Sequence, residues 1–246
     1  MKVAFRIDDT IQIFRLGTTS NKKIASKGEK IVQSYSFAKD QFEEVQLRMV
    51  DSSRKGTESF FKHDAAVCGD CPFSVNDANG GKGGCYTHKG HQYFGFISTL
   101  KSLAKQYGSF QNIPEYSDQV AKEIIEFSVG RYVRFGSYGE PSLHPIELVK
   151  AVTAVAKNWT GYTHQYFRKP EYSEFFMASV HNQAQANSAM GKFNYRSFIA
   201  VDDNSDIEAI VCPASNEGGF TSNCSKCGLC SGAKGKGKKD IVILEH

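Results

Sequence analysis

The sequence contains no long hydrophobic run. Its longest apolar stretches, Ile241–Leu244 and residues 151–156, fall far short of the roughly 20 residues needed to cross a bilayer. This excludes a membrane-spanning protein, and the mean hydropathy of -0.40 indicates a soluble one. The unbroken apolar segment of a secretory signal is also missing, because charged residues interrupt the first nine positions. We therefore predict a cytoplasmic location.

A large excess of one charge is also absent. Thirty Lys and Arg residues face 26 Asp and Glu residues, for a net charge of +4, so charge alone does not indicate a nucleic-acid-binding protein. Hydrophobic, charged and aromatic contents of 40%, 23% and 12% are ordinary globular values and exclude wholesale disorder. A chain of 246 residues can bury a core without covalent cross-links.

The seven cysteines fall into two tight groups. In a reducing compartment disulfide bridges do not explain them, and an odd number would leave one cysteine unpaired in any case. Thiolates that bind metal are the better interpretation.

Apolar spacing predicts an α/β fold. Helical patterns cover 94–107, 120–127 and 183–190, with Ser117 as a cap, and a strand, loop and helix unit runs from 131 to 156 with Pro145 in the first helical turn. Further strands are predicted at 159–164, 175–180, 195–201, 207–211 and 241–244. Repeated strand-helix units imply a parallel sheet, either doubly wound or partly closed, and we favour a partial (β/α) barrel.

Three regions are predicted along the chain. Residues 1–60 form accessory strands and loops, with strands at 2–7 and 11–14 and a loop at 17–30. Residues 61–211 form the partial barrel with an irregular Cys-rich loop. Residues 212–246 form a Cys-rich segment that ends in the last strand.

The C-terminal cysteine group has the composition of a cluster site. Cys224, Cys227 and Cys230 follow one another at CxxC steps, and the remote Cys212 supplies a fourth ligand. Such a set suits a [4Fe-4S] cluster. The alternative is a four-cysteine zinc site, although zinc sites normally show two CxxC pairs.

The N-terminal group has only three cysteines: Cys68, Cys71 and Cys85. A cluster held by three thiolates keeps one iron open, as metal catalysis requires. Alternatively a nearby histidine closes a zinc site, the candidates being His63, His88 and His91. It is also open whether both groups converge on one cluster.

A glycine-containing loop follows the strand at 131–135. Ligands of parallel α/β folds bind at the carboxyl ends of strands, where this loop lies. The Glu140 carboxylate could accept hydrogen bonds from a ligand ammonium, or it could be a solvated residue of an ordinary turn. The candidate cofactor-binding residues are Gly136, Ser137, Tyr138, Gly139, Glu140 and Pro141.

His164 and His181 each follow a predicted strand. Equivalent strand ends direct both toward the same mouth, so they are candidate catalytic residues, although single histidines there are often structural. Tyr162 is a third candidate, able to stack on a planar ligand. The Lys-rich stretch 234–239 is interpreted as a solvated flexible link.

Together these motifs resemble an uncharacterised bacteriophage family, the gene product 88-like proteins. The resemblance covers most of residues 68–230 and rests on Val133-Arg-Phe-Gly-Ser-Tyr-Gly-Glu-Pro141, Trp159-Thr-Gly-Tyr-Thr-His164 and the two cysteine groups. It implies the cytoplasm of a bacterial host as the location.

A broader similarity is to radical S-adenosylmethionine (SAM) enzymes. That resemblance implies a partial barrel and a three-cysteine [4Fe-4S] cluster whose open iron binds SAM, with Gly139-Glu140-Pro141 meeting the SAM amino group. The C-terminal cysteines would hold an auxiliary cluster. The chain departs from the family motif CxxxCxxC, since it has CxxC followed by a distant third cysteine.

The leading hypothesis is an iron-sulfur redox or radical enzyme that uses a small-molecule ligand or an electron donor. The alternative is a zinc-binding phage protein that docks a host protein or, through the Lys-rich tail, nucleic acid. A third hypothesis is a non-catalytic iron-sulfur sensor. Substrate and oligomeric state are not predicted.

Overall fold

The computed structural model describes residues 1–54, 58–74, 85–88, 92–204 and 206–244. This part of the chain is mixed α/β with two five-stranded sheets. Within it, no helix is long and apolar enough to cross a membrane.

The first sheet mixes antiparallel and parallel pairing. Its first three strands form an antiparallel meander, and the third pairs in parallel with the fourth, which pairs in parallel with the fifth. The strands, in spatial order, are β1 (Lys2–Ile7), β2 (Thr10–Gly17), β3 (Ile31–Ala38), β4 (Tyr132–Tyr138) and β5 (Asn158–Thr160).

The second sheet is parallel throughout. The last described strand inserts between two earlier ones. The strands, in spatial order, are β6 (Tyr162–Thr163), β7 (Met177–Val180), β8 (Ser197–Val201), β10 (Ile241–Leu244) and β9 (Ile210–Val211).

Only Gly161 separates the two sheets along the chain. β5 pairs with β4 on one side of this residue, and β6 pairs with β7 on the other. A side chain at Gly161 would place its Cβ 2.4 Å from a ring carbon of Phe176. Glycine therefore permits the close approach of β7 at the point where the strand 158–163 changes sheets.

Helices flank both sheets and bury their apolar faces. The main core joins Val133 and Phe135 of β4 to Val149, Val152 and the inward residues of the second sheet. A second core packs Phe37, Tyr138 and the first long helices. The helices are α1 (Lys39–Val50), α2 (Glu58–Phe61), α3 (Ala65–Cys68), α4 (Gln92–Tyr107), α5 (Asp118–Ser128), α6 (Ile146–Val155), α7 (Gln183–Phe193) and α8 (Cys224–Cys227).

Most predicted elements are confirmed. The Ser117 hydroxyl accepts from the Val120 amide and caps α5, and Pro145 is the residue before α6. The predicted strand at 159–164 is interrupted, and the one at 207–211 is reduced to Ile210–Val211. Residues 31–50 were predicted only as part of the accessory strands and loops of 1–60, and they form β3 and α1. The accessory strands at 2–7 and 11–14 extend the sheet that contains β4.

Candidate functional site

The N-terminal cysteines are carried by short turns rather than by long elements. Cys68 ends α3, and the Cys71 amide donates to the Cys68 carbonyl at 3.1 Å. The Cys85 amide donates to the Phe73 carbonyl at 3.0 Å, which returns the chain to this place. The glycines of this loop, at 80–84, lie outside the described residues.

A fully buried carboxylate supports this cysteine turn. Asp64 Oδ1 accepts hydrogen bonds from Gln41 Nε2, at 2.9 Å, and from the Tyr138 hydroxyl. Its other oxygen lies 2.8 Å from Nε2 of His88. The Asp64 carbonyl accepts from the Cys68 amide at 2.7 Å. Tyr138 of the predicted cofactor loop thus donates a structural hydrogen bond. No sequence pattern pointed to Asp64 or Gln41.

The histidines proposed as a fourth ligand make other contacts. Nδ1 of His63 lies 3.5 Å from Asp40, and His88 binds Asp64. His91 lies outside the described residues. The histidine beside the cysteines is instead His164, whose Nε2 lies 3.8 Å from the Cys71 sulfur.

The loop after β4 joins the cysteine turn through its backbone. The Glu140 amide donates to the Val67 carbonyl at 2.7 Å. Gly139 has φ +74°, and a Cβ there would lie 2.8 Å from Cβ of Ser36. Only glycine fits this position without strain. Glu140 therefore directly follows the residue at which the loop packs tightly against β3.

Glu140 is buried, and both its oxygens are engaged. Oε2 accepts from the Thr163 hydroxyl at 2.6 Å, and Oε1 accepts from the His164 amide at 3.0 Å. His164 Nδ1 lies 3.4 Å from the same Oε1. A carboxylate offers about four lone pairs, so Glu140 retains capacity for a ligand ammonium.

Charge is concentrated around these groups. Burial lowers the pKa of His164, but hydrogen bonds to Cys71 and Glu140 raise it to about 10. Burial raises the pKa of Cys68 well above its usual range, and Asp64, Cys71, Glu140 and Cys85 add to the rise. These surroundings favour the neutral form of the Cys68 thiol, and a bound cation would favour its thiolate.

The two candidate catalytic histidines lie side by side. The rings of His164 and His181 stack with centroids 5.8 Å apart, and Phe73 packs edge-on against His181 at 4.7 Å. Burial and the neighbouring His164 lower the pKa of His181. Phe73 and Cys71 come from the cysteine turn, so these strand ends and that turn share one site.

The C-terminal cysteines line a single cavity. The space that a water-sized molecule can enter is about 20 Å³, and about 300 Å³ with the open mouth included. Asn223 caps α8 by accepting from the Lys226 amide, and this short helix carries two of the four cysteines. The lining residues are Thr160, Tyr162, Cys212, Pro213, Ala214, Cys224, Cys227, Gly228, Leu229, Cys230 and Ile241.

Two buried tyrosines donate to sulfur in this cavity. The Tyr132 hydroxyl shares a hydrogen bond with the Thr160 hydroxyl at 2.6 Å, and by side-chain hydrogen bonding Tyr132 acts to lower the pKa of Cys224 and Tyr162 that of Cys230. Burial raises the pKa of Cys224 to about 11, although Arg134 and Tyr132 act to lower it. The ring of Tyr162 packs on Phe198 at 4.4 Å. Tyr162 is thus part of the C-terminal site, whereas His164 and His181 belong to the other.

A buried arginine secures the C-terminal loop. Arg196, 4% exposed, donates from Nη1 to the carbonyls of Leu229 and Gly232, at 3.0 Å each, and from Nη2 to that of Lys239. These carbonyls lie on both sides of the Lys-rich stretch, so Arg196 closes the loop that follows Cys230.

The loop at 17–30 holds α8 from the other side. The carbonyls of Lys23 and Ile24 accept from the amides of Cys224 and Ser225, at 2.9 Å each. The Asn158 side chain donates to the Ser225 carbonyl at 2.8 Å. Residues from both ends of the chain therefore build the C-terminal site.

Among the residues that the structure describes, no three His, Cys, Asp or Glu side chains converge as ligands of a single metal ion. Comparisons with protein-family models, with curated proteins and with solved structures find no match for this chain.

Proposed function

We propose that this chain is an iron-sulfur protein with a four-cysteine cluster at the C-terminal site and a three-cysteine, open-site cluster at the N-terminal one. Cys212, Cys224, Cys227 and Cys230 would hold the first, and Cys68, Cys71 and Cys85 the second. Such clusters supply one-electron transfer, and an iron without a fourth thiolate can also bind a small ligand. The proposal includes a redox or radical enzyme of the SAM-dependent type.

The observation that carries the proposal is the cavity lined by four thiols. The thiolates of a zinc site meet at about 2.3 Å from one point, and within the described part of the chain these thiols do not converge in that way. The ligands of a [4Fe-4S] cluster instead surround a space. The Tyr132 and Tyr162 hydroxyls supply the hydrogen bonds to sulfur that commonly surround such clusters.

At the N-terminal site Glu140 is placed to receive an amino-acid-like ligand. Its backbone is tied to Val67 in the cysteine helix, and its side chain is held by Thr163 and His164. The pair of His164 and Glu140 would orient the ligand and hold a proton beside Cys71. SAM is the ligand that the family resemblance suggests.

The strand order supports a partial barrel as the scaffold. Six parallel strand positions have the same order in space as along the chain, namely β3, β4, the interrupted strand 158–163, β7, β8 and β10, although β9 comes between the last two along the chain. The first is followed by the N-terminal cysteines and the second by Glu140. Both groups thus lie beyond the carboxyl ends of adjacent strands, where barrel ligands bind.

Metal and sulfide analysis of protein purified without oxygen tests the proposal. We expect broad absorption near about 400 nm from thiolate-to-iron charge transfer, and a change in the signal of the reduced protein when SAM is added. Colourless protein with stoichiometric zinc would instead support the zinc-binding alternative.

Two matched variants test the number of sites. Replacing Cys68 and Cys71 by serine should remove about half of the iron, as should replacing Cys227 and Cys230. Loss of all iron in either variant would indicate one shared cluster.

The arrangement of three side chains at the N-terminal site favours a second function. Cys71, His164 and Glu140 follow one another at 3.8 Å and 3.4 Å, the order of a thiol nucleophile, a base and an orienting carboxylate. If the protein is a thiol enzyme, iodoacetamide should label Cys71 rapidly in protein as purified, and His164→Gln should slow labelling about tenfold or more. Protection of Cys71 by bound iron would exclude this function.

A further inference from the structure

The C-terminal cysteine site lies within a strongly basic surface. The two segments that build it, 17–30 and 212–240, contain nine lysines against only Glu29, Glu217 and Asp240, whereas the whole chain has a net charge of just +4. The basic charge of this protein is therefore concentrated around one site. The lysines are Lys22, Lys23, Lys27, Lys30, Lys226, Lys234, Lys236, Lys238 and Lys239.

The fold brings together the two segments that carry these lysines. The carbonyl of Lys23 binds the amide of Cys224 at 2.9 Å, which places the first segment against α8. Arg196 links the carbonyls of Leu229 and Lys239, which returns the Lys-rich stretch to the cysteines. We call the resulting surface, formed by these nine lysines, the lysine rim.

The lysine rim is accessible. Eight of its lysines are exposed and Lys23 is half-buried. Within the part of the chain that the structure describes, one of them, Lys234, forms an ion pair, with Glu174 at 2.8 Å. Phe220 is 51% exposed beneath Lys23 Nζ, 5.2 Å from its ring centre. An exposed aromatic residue inside a charged rim is typical of a protein-docking surface.

Resting on the proposed function, we propose that the lysine rim is the docking surface for a small acidic one-electron carrier protein. In the exchange, the carrier loses one electron and the C-terminal cluster gains it, and no bond is made or broken. Charge complementarity raises the rate at which such partners meet by about 10- to 1000-fold at low salt.

The position of the lysine rim favours a redox protein over nucleic acid or membrane. Lys226 lies between Cys224 and Cys227, and Cys212, Cys224 and Cys227 are only half-buried, so a partner on the rim would lie directly over the thiols. A polyanion that binds for charge alone gains nothing from that position.

The test measures electron transfer under anaerobic conditions from a fully reduced acidic flavodoxin to the iron-loaded protein by stopped flow. The variant combines Lys226→Glu, Lys236→Glu and Lys238→Glu. The matched control combines Lys101→Glu, Lys105→Glu and Lys122→Glu, three exposed lysines of α4 and α5 outside the rim. At low ionic strength we expect the rim variant to be about tenfold slower or more, and the control to change less than about twofold.

Salt and competing anions complete the test. High salt should slow the unmodified protein and abolish its advantage over the rim variant. Equal rates for the rim variant and the unmodified protein, or no transfer from flavodoxin, would overturn the proposal. So would rim-dependent binding of single-stranded DNA or of phosphatidylserine vesicles with unchanged electron transfer. Missing cluster absorption would mark failure of the proposed function itself.

Discussion

The two cysteine sites differ in what holds them and in the charge around them. At the N-terminal site, buried Asp64 and Glu140 lie among three thiols. At the C-terminal site, buried Arg196 fixes the loop by its carbonyls, and two tyrosine hydroxyls bind sulfur. Carboxylates and histidines surround the N-terminal site, whereas an arginine and neutral hydroxyl groups surround the C-terminal site.

This contrast indicates that the N-terminal site suits a ligand that binds reversibly, whereas the C-terminal site suits a permanently bound group. An incomplete thiol set next to carboxylates that still have acceptor capacity suits a ligand that arrives with positive charge. A complete thiol set supplied with donors suits a permanent anionic group. The buried carboxylates and histidines are therefore gathered where a ligand would bind, rather than at the site with more cysteines.

The largest expected effect concerns Arg196. Replacing it by methionine removes the side-chain donor from three carbonyls, those of Leu229, Gly232 and Lys239, which lie in buried or partly buried contacts. We expect the free energy of unfolding to fall by about 3–5 kcal/mol. The matched change at the other site, Arg168→Met, should cost under about 1 kcal/mol, because the Arg168 side chain is 59% exposed in its pair with Asp70.

Urea denaturation of the anaerobically purified variants measures both values. The iron of the C-terminal cluster should be lost with Arg196 and retained in the Arg168 variant. Equal stability of the two variants would show that the Arg196 contacts do not secure the C-terminal loop.

Local spacing of apolar residues and cysteines predicted much of the fold. It could not predict contacts between residues that are far apart in the sequence. The helical period predicted α4, and the CxxC steps indicated three of the four cysteines that line the C-terminal cavity. β3 was missed because it buries polar residues, Ser34 and Ser36, whose alternation does not stand out as a strand. The contact between Cys71 and His164 spans 93 positions, and no local spacing predicts it.

A smaller expected effect is the pH dependence of the free energy of unfolding that arises from His144, in the loop beside the N-terminal site. His144 is fully buried, and its Nε2 lies 2.7 Å from the Ser34 hydroxyl, which also accepts from the Gly136 amide at 2.9 Å. Burial lowers the pKa of His144 to about 3. The unfolded chain binds this proton near pH 6.5, so stability is complete above that pH and is lost as the pH falls toward 3.

Between pH 7 and pH 5 this residue should reduce the free energy of unfolding by about 2 kcal/mol. His144→Gln should remove that part of the pH dependence, whatever its effect at pH 7. The comparison requires denaturation curves of both proteins at each pH. Parallel pH profiles for the two proteins would contradict a neutral buried His144.

The smallest expected effect is a change in the midpoint potential of one proposed cluster when a donor near its sulfur atoms is removed. Tyr162→Phe and Tyr132→Phe each remove one donor to sulfur. The donor stabilises the more negative reduced state, so each change should lower the midpoint potential of the C-terminal cluster. A net hydrogen bond of about 1 kcal/mol corresponds to about 40 mV for one electron.

Thr87→Val provides the counterpart at the N-terminal site, since the Thr87 hydroxyl lies 3.0 Å from the Cys85 sulfur. Tyr172→Phe is the control, because that hydroxyl donates to the His144 carbonyl at 2.6 Å and not to sulfur. In an electron-paramagnetic-resonance titration, each variant should shift the signal of its own cluster only, and the control neither. If Tyr162→Phe left both potentials unchanged, the contrast between the sites would rest on charge alone, and the tyrosines would serve only to fill the cavity.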